Sequence, residues 1–263
     1  MENIGENIKM KWETKTFNKI NVNNVYLIEG LPGMGNVGKI AIDFIIESLN
    51  AQKVLEIYSY SFPHCVFVKE DNTIEIPSIK VYQKKVNNKS FLFMAGDIQP
   101  LDEVSCYEFC DFILDLFQKQ KINQVITLGG IGQPQIPKTP KVYCTGNDKK
   151  IIKEYSSNKV SNSIYGIVGP IIGVSGVLLG TSQHRNIPAV SLLTETYGHP
   201  TYLGIKGAKE LLNVLNKKFS FKLNINKLNS DVDIIEKGLK KKVNQMMKIK
   251  PGRTKKTDIN YIG

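Results

Sequence analysis

A glycine-rich segment organises this chain: Glu29-Gly30-Leu31-Pro32-Gly33-Met34-Gly35-Asn36-Val37-Gly38-Lys39. The apolar run Val25 to Ile28 precedes it, and a helical pattern from Ile40 to Leu49 follows it. A strand, a glycine-rich turn and a helix are the parts of a phosphate-binding loop, because the helix N-terminus points free N–H groups at the turn. The segment therefore raises the question of whether the turn holds a ligand or only packs the helix on a sheet.

The first interpretation of the glycine turn is a P-loop. Gly33, Gly38 and Lys39 have the spacing of that motif, and the motif continues with Ser or Thr. The hydroxyl of that residue holds Mg²⁺, whereas this chain has Ile40. Isoleucine cannot ligate magnesium, so the sequence argues against P-loop phosphoryl transfer.

The second interpretation is a dinucleotide-binding turn. Gly33, Gly35 and Gly38 match the G-x-G-x-x-G fingerprint between a predicted strand and a predicted helix. Glu56 lies near the end of the next predicted strand, at about the distance expected of the carboxylate that binds a ribose hydroxyl. Pro32 makes the turn longer and stiffer than the fingerprint requires. A nucleotide- or dinucleotide-binding enzyme remains the alternative function.

The third interpretation is a structural turn whose glycines allow close packing. Gly33, Gly35, Asn36 and Gly38 would then form the rim of a vestigial ligand crevice, and no cofactor is predicted. The rest of the chain favours this interpretation, because no catalytic set emerges. Ser175, for example, is followed directly by a glycine and does not fit the G-x-S-x-G elbow.

The charge of the chain is concentrated near its end. The formal net charge is +11, and the residues from Ile235 onward contribute +7 of it. Such a segment can steer a protein toward an acidic partner or nucleic acid, or it can act as a solubilising tail. Tyr261 is the only aromatic residue after Ile235, so base stacking is poorly supported and a nucleic-acid role is not expected.

Cysteine usage and hydropathy predict a cytoplasmic protein. Cys106 and Cys110 share one face of a predicted helix, but no further Cys or His completes a set of four ligands. We therefore predict reduced packing cysteines and no metal site. No apolar run reaches the roughly 18 residues that a membrane span needs, and the N-terminus lacks a secretory pattern.

Alternating strand and helix patterns predict an α/β fold with a mostly parallel central sheet and additional antiparallel strands. The strands are predicted to include Ile74 to Val81, bulged or at an edge because of Pro77, and Ile164 to Val168. We predict four regions: a polar arm over residues 1–21, one α/β domain over 22–229, a C-terminal helix over 230–250, and a basic flexible tail over 251–263.

Five segments in order carry a family resemblance. They are Glu29 to Gly38, Gly96-Asp97-Ile98-Gln99-Pro100, Thr127-Leu128-Gly129-Gly130, Gly173 to Gly180, and Leu193-Thr194-Glu195-Thr196. Together they resemble the archaeal branch of the proteasome assembly chaperone family, over about residues 24–245. Some members of that family have been labelled ATP-dependent ligases.

The resemblance implies a three-layer α/β/α fold similar to that of nucleoside phosphorylases but without their active site. It implies a non-enzymatic homo-oligomer, a tetramer or pentamer, that binds proteasome α subunits and promotes assembly of the 20S core. In some members a C-terminal hydrophobic-Tyr-any tripeptide enters pockets between α subunits. Here Tyr261 is third from the end, followed by Ile262 and Gly263, so the motif is out of register. These three residues are the predicted partner contact.

Overall fold

A computed structural model of the protein describes residues 11–166 and 169–230. The strands are β1 Glu13–Thr16, β2 Val25–Gly30, β3 Gln52–Tyr58, β4 Phe67–Val68, β5 Ile74–Glu75, β6 Ile79–Val86, β7 Lys89–Gly96, β8 Ile122–Gln133, β9 Val142–Gly146, β10 Val160–Ser161 and β11 Ala189–Tyr197. The helices are α1 Val37–Ser48, α2 Glu103–Leu116, α3 Lys149–Tyr155, α4 Val174–His184, α5 Ile205–Phe219 and α6 Lys227–Ser230.

Nine of these strands form one sheet in the order β1-β3-β6-β7-β2-β8-β11-β9-β10. The centre of the sheet, β7-β2-β8-β11, is parallel throughout. On one side β6, β3 and β1 add antiparallel pairs, and on the other side β9 runs antiparallel to β11. The predicted α/β fold with a parallel centre and antiparallel additions is therefore confirmed.

Helices cover both faces of the sheet, as the three-layer prediction requires. Alternate residues of β2 point to opposite faces, so Ile28 packs with α1, α3 and α5, whereas Leu27 packs with α2 and α4. Leu211 of α5 belongs to the first apolar cluster, and Phe109 of α2 belongs to the second. Each helix buries one stripe against the sheet, which produces two separate cores.

Two strand predictions are wrong. The run from Ile74 to Val81 is divided at Pro77 into β5 and β6, which belong to different sheets. Proline has no N–H to donate to a sheet ladder, so the chain leaves one sheet there and enters the next. Residues 164–166 lie outside every described strand, with Tyr165 fully exposed, and residues 167 and 168 are outside the described part.

The predicted N-terminal arm contains a buried anchor. Trp12 packs against Phe62, Phe109 and Phe112, with ring centroids 5.7, 5.1 and 6.2 Å away. This contact holds β1 along the outer edge of β3, so residues 12–16 are part of the sheet layer. The predicted C-terminal helix beyond Ser230 and the tail over 251–263 lie outside the described residues.

Candidate functional site

The glycine turn connects β2 to α1 at the carboxyl edge of the parallel strands. Residues Met34–Asn36 form a single 3₁₀ turn, and Gly35 and Asn36 have left-handed backbones with φ of 62° and 51°. A left-handed conformation is open to glycine and tolerated by asparagine, but it is costly for most other residues. The backbone of the turn thus explains why these two residue types stand there.

The glycines bring the turn into contact with β8 and β11. A Cβ atom on Gly38 would lie 2.2 Å from the carbonyl oxygen of Leu128, and one on Gly35 would lie 2.4 Å from Oγ1 of Thr196. The carbonyl of Gly35 accepts a 2.7 Å hydrogen bond from the N–H of Gly204. These contacts join protein to protein, which favours the structural interpretation of Gly35 and Gly38.

Lys39, which has the position of the P-loop lysine, is engaged by two carboxylates. Its Nζ lies 2.7 Å from Oδ2 of Asp43 and 3.0 Å from Oδ1 of Asp97, and the side chain is buried. Burial lowers the pKa of Lys39, but the two carboxylates outweigh it and raise that pKa above its usual value. Ile40, the next residue, is buried in the core. Lys39 therefore fixes α1 to the end of β7.

Glu29 is a buried carboxylate at the end of β2. Its Oε1 accepts a 2.7 Å hydrogen bond from the N–H of Leu31, and its Oε2 accepts one of 2.9 Å from the hydroxyl of Ser175. Burial raises the pKa of Glu29 to about 7, against the lowering effect of these two hydrogen bonds. No role for Glu29 was predicted from the sequence, although an acidic residue inside an apolar strand pattern is the signal that could have identified it.

Gln99 makes a second connection between the turn and α4. Its Nε2 donates to the carbonyl of Pro32 at 3.0 Å, and its Oε1 accepts from the N–H of Val174 at 3.1 Å. A Cβ atom on Gly173 would lie 2.6 Å from the same Oε1, so glycine is needed there for this approach. Glu29 and Gln99 together hold the first turn of α4 against the glycine turn.

The five segments that carry the resemblance therefore meet at one place in the fold. Glu29 and Gln99 reach the Gly173–Gly180 segment, Gly130 packs against Met34, and Thr196 packs against Gly35. Segments that are far apart in sequence thus form one connected junction at the carboxyl edge of the sheet, which we call the motif junction. Such an arrangement explains the residue types of the motifs as a requirement of packing.

Glu56 is not part of the motif junction. It lies on β3, and β6 and β7 separate β3 from β2. Its carboxylate is bound by Lys53 Nζ at 2.8 Å and by the hydroxyl of Tyr58. The dinucleotide interpretation places the ribose carboxylate on the strand next to the glycine turn. The predicted pairing of Glu56 with the glycine turn is therefore wrong.

The remaining candidates are structural or lie outside the described part. Cys106 and Cys110 are buried free thiols of α2, as predicted. No cluster of metal-binding side chains occurs in residues 11–166 and 169–230. None of the helices within those ranges is long and apolar enough to cross a bilayer. Tyr261, Ile262 and Gly263 are outside those ranges, so the predicted tail contact stays a prediction.

Exposed apolar side chains extend from the same edge of the molecule. The connection from β3 to β6 carries five of them, and β3 points in the same direction as β7. They are Tyr60, Val66, Val68, Ile74 and Ile76. Leu101 and Val104 follow β7, and Ile136 follows β8. Concentrated apolar exposure is typical of a surface that contacts another protein.

Comparison with known proteins places the whole domain in a recognised group. Residues 27–243 match the model of the PAC2 family. The uncharacterized protein MJ1210 of Methanocaldococcus jannaschii is 30% identical over 245 residues, which cover 91% of this chain and 93% of that protein.

Two solved structures are similar to the fold described above. Pyrococcus furiosus PbaB, an archaeal proteasome activator, superposes with a TM-score of 0.78 at 27% identity, covering 88% of this chain and 98% of PbaB. Pyrococcus furiosus PbaA, an archaeal homolog of proteasome-assembly chaperone, gives a TM-score of 0.72 at 26% identity, covering 90% of this chain and 98% of PbaA.

Proposed function

The chain belongs to the PAC2 family, and from that premise we propose that it is a proteasome assembly chaperone that binds proteasome α subunits. Its task would be to bring α subunits together during assembly of the 20S core. The observation that carries this proposal is the similarity to PbaB and PbaA along nearly the whole described chain. The motif junction supports it, because the same segments that carry the resemblance hold the fold together.

We propose that this role involves no catalysis. The ionisable side chains at the glycine turn are bound within the protein: Lys39 contacts two carboxylates, and Glu29 accepts from the N–H of Leu31 and the hydroxyl of Ser175. A catalytic site presents groups with perturbed pKa values to a cleft, whereas Glu29 is fully buried in the core beneath α4. Its environment is suited to fixing α4 against the sheet.

The proposed contact with α subunits is the end of the chain. Tyr261 would act as the aromatic anchor, with Ile262 beside it and the carboxylate of Gly263 pairing with a lysine. An aromatic residue on a short peptide with a free carboxylate has the chemistry of a docking anchor. Tyr261 stands one position earlier than the tyrosine of the hydrophobic-Tyr-any tripeptide, so Ile262 and Gly263 both follow the anchor.

We further propose a homo-oligomer, a tetramer or pentamer, that acts in the cytoplasm. Several copies would present several tails to neighbouring α subunits at once, and multivalent binding raises the effective affinity without any new contact. The exposed apolar side chains between β3 and β6, and at the start of α2, provide surface for such association.

Co-purification with α subunits tests the proposal. We expect the full chain to retain purified α subunits, and we expect retention to fall when residues 253–263 are removed or when Tyr261→Ala is introduced. Tyr165→Ala is the matched control, because Tyr165 is a fully exposed tyrosine elsewhere on the chain. If neither the full chain nor the truncated chain retained α subunits, the proposed function would be wrong. Retention unaffected by truncation would remove only the role of the tail.

A further inference from the structure

The outward face of α2 combines acidic and apolar side chains. Val104 is 64% exposed and Tyr107 is 58% exposed, and Leu101, just before the helix, is 64% exposed. The other exposed side chains of α2 are all acidic: Glu103, Glu108, Asp111 and Asp115. The helix has no Lys or Arg. We call this surface, from Leu101 to Asp115, the acidic face.

Two basic residues of neighbouring elements neutralise part of this charge. Lys11 pairs with Glu108, and Arg185 pairs with both Asp111 and Asp115, the first at 2.9 Å. Four carboxylates thus face two cations, which leaves an excess of negative charge. Exposed ion pairs of this kind contribute little net stability, so they can exchange partners when another cation arrives.

A complementary sequence lies in the same chain, beyond the described residues. Between Lys237 and Lys250 there are six lysines and no acidic residue. The segment from Asp231 to Lys250 also repeats apolar residues at intervals of three or four, the spacing of one helix face. These residues are Val232, Ile235, Leu239, Val243 and Met246. A basic and apolar stripe is the chemical complement of an acidic and apolar stripe.

The end of the described chain favours a second copy as the source of the segment. Leu228 is buried in the core with α1 and α5, on the opposite face of the sheet from α2. The four residues from Leu228 to Val232 extend at most about 14 Å. Crossing from one helix layer to the other means passing two packed layers of roughly 10 Å each. The beginning of the segment therefore cannot reach the acidic face of its own copy.

We propose that residues 231–250 of one copy bind the acidic face of α2 in a second copy. Val104 and Tyr107 would receive the apolar stripe, and Glu103 and Glu108 would meet the lysines. This contact rests on the proposed homo-oligomer and specifies how its subunits are joined. Exchange of a terminal segment between copies is a common and low-cost route to closed oligomers.

Carbodiimide cross-linking of the full chain tests this contact. Copies labelled with heavy isotopes are mixed with unlabelled copies, cross-linked and mapped by mass spectrometry. We expect links between the carboxylates of the acidic face and the lysines from Lys237 to Lys250, joining labelled to unlabelled chains. Links found only within one chain, or no links at these sites, would overturn the proposal.

Charge reversal provides the second arm of the test. Val104→Lys with Glu108→Lys should abolish the links and lower the mass measured by light scattering, and adding Lys240→Glu with Lys241→Glu to the same chain should restore the mass and give links of reversed polarity at these positions. Tyr165→Lys is the matched control, because Tyr165 is fully exposed and belongs neither to the acidic face nor to the exposed apolar side chains between β3 and β6. Circular dichroism confirms that each variant folds. An unchanged mass and unchanged links in the α2 variant would contradict the proposal.

Binding of α subunits by the same preparations separates this contact from the proposed function. Loss of the links with retained α-subunit binding leaves the proposed function in place. Absence of α-subunit binding with the links intact overturns the proposed function and leaves the subunit contact in place.

Discussion

At the scale of single residues, the motif junction depends on groups that are buried without solvent. Among these groups, Glu29 should respond most strongly to pH. Burial disfavours its charged form, although two hydrogen-bond donors contact its carboxylate. Gly35 is sensitive to substitution instead, since its left-handed backbone lies against Thr196. Each makes a definite prediction about stability.

Glu29 should make the protein less stable as pH rises from about 4.5 to about 7. The unfolded chain releases this proton near pH 4.5, whereas the folded chain holds it to about pH 7. The folded state thus binds more protons in this interval, so the free energy of unfolding falls with increasing pH, by up to about 3 kcal/mol. In Glu29→Gln the amide oxygen can accept from the N–H of Leu31 and the NH₂ group can donate to the hydroxyl oxygen of Ser175, so both contacts are kept and this dependence should disappear. Urea titrations from pH 5 to pH 8 measure it.

Glu56→Gln is the control of opposite sign. Burial raises the pKa of Glu56, but hydrogen bonds from Lys53 and Tyr58 outweigh that effect and hold the pKa below its usual value. The stabilisation by Glu56 is therefore present at neutral pH and is lost as pH falls through the lowered pKa. A Glu29→Gln variant with the same pH dependence as the parent would contradict the assignment of the neutral carboxyl group to Glu29.

Gly35→Val should destabilise the fold by at least about 2 kcal/mol, because it adds left-handed strain and a clash with Thr196. Thermal denaturation measures the loss. Gly180→Ala is the control, since Gly180 is in α4 with no atom near its added Cβ, and it should gain up to about 1 kcal/mol. A Gly35→Val variant that kept its stability but lost binding of a small ligand would restore the ligand interpretation of the turn.

At the scale of elements, side-chain hydrogen bonds connect the beginning of α4 to the glycine turn and to the end of β2. Gln99 supplies an acceptor to the first N–H of α4 and a donor to the turn, and Ser175 donates to Glu29. The helix contains Gly176 and Gly180, which lower its intrinsic stability. Its order should therefore depend on these connections.

Gln99→Ala should leave the N–H of Val174 and the carbonyl of Pro32 without their partner and cost about 1–3 kcal/mol. Amide hydrogen exchange at the beginning of α4 should be faster in the variant than in the parent. This difference should become smaller toward the end of the helix. Gln118→Ala, at an exposed glutamine after α2, should change neither value. Equal exchange rates in α4 of the parent and the Gln99 variant would show that other contacts fix the helix.

The elements themselves were largely predictable, because α1, α2, α5 and the strands of the parallel centre have strong apolar periods. The division at Pro77 and the absence of a strand over residues 164–166 were missed, since short apolar runs do not reveal which partner they pair with. The motif junction could not be predicted from the sequence either, because it also depends on strand pairing. Glu29 and Gln99 acquire their roles only when the order β7-β2-β8-β11 brings distant segments together, and strand pairing is a non-local property.

At the scale of the whole molecule, most of the net charge lies near the end of the sequence, and the exposed apolar side chains lie in the described residues. The residues from Ile235 onward carry +7 of the net +11. The domain contributes exposed apolar side chains near the carboxyl edge of its sheet. Steering by charge and anchoring by apolar groups are separable contributions to binding.

Replacing Arg253, Lys255 and Lys256 with glutamine should slow association with α subunits, reduce its salt dependence and leave dissociation nearly unchanged. These positions are outside the segment proposed to join the subunits. The same change at Lys149, Lys150 and Lys153, three exposed lysines of α3, is the matched control and should have little effect. Stopped-flow measurement of the association and dissociation rates at two salt concentrations compares the tail variant with the α3 variant.

The central claim is that this PAC2 protein binds proteasome α subunits without a nucleotide or other cofactor. The most direct test of this claim is an equilibrium titration of the purified full chain against purified α subunits. Binding is monitored by interferometry in buffer without nucleotide. We expect saturable binding that weakens when residues 253–263 are removed. No binding by the folded full chain up to its solubility limit, or binding that appears only when a nucleotide is added, would contradict it.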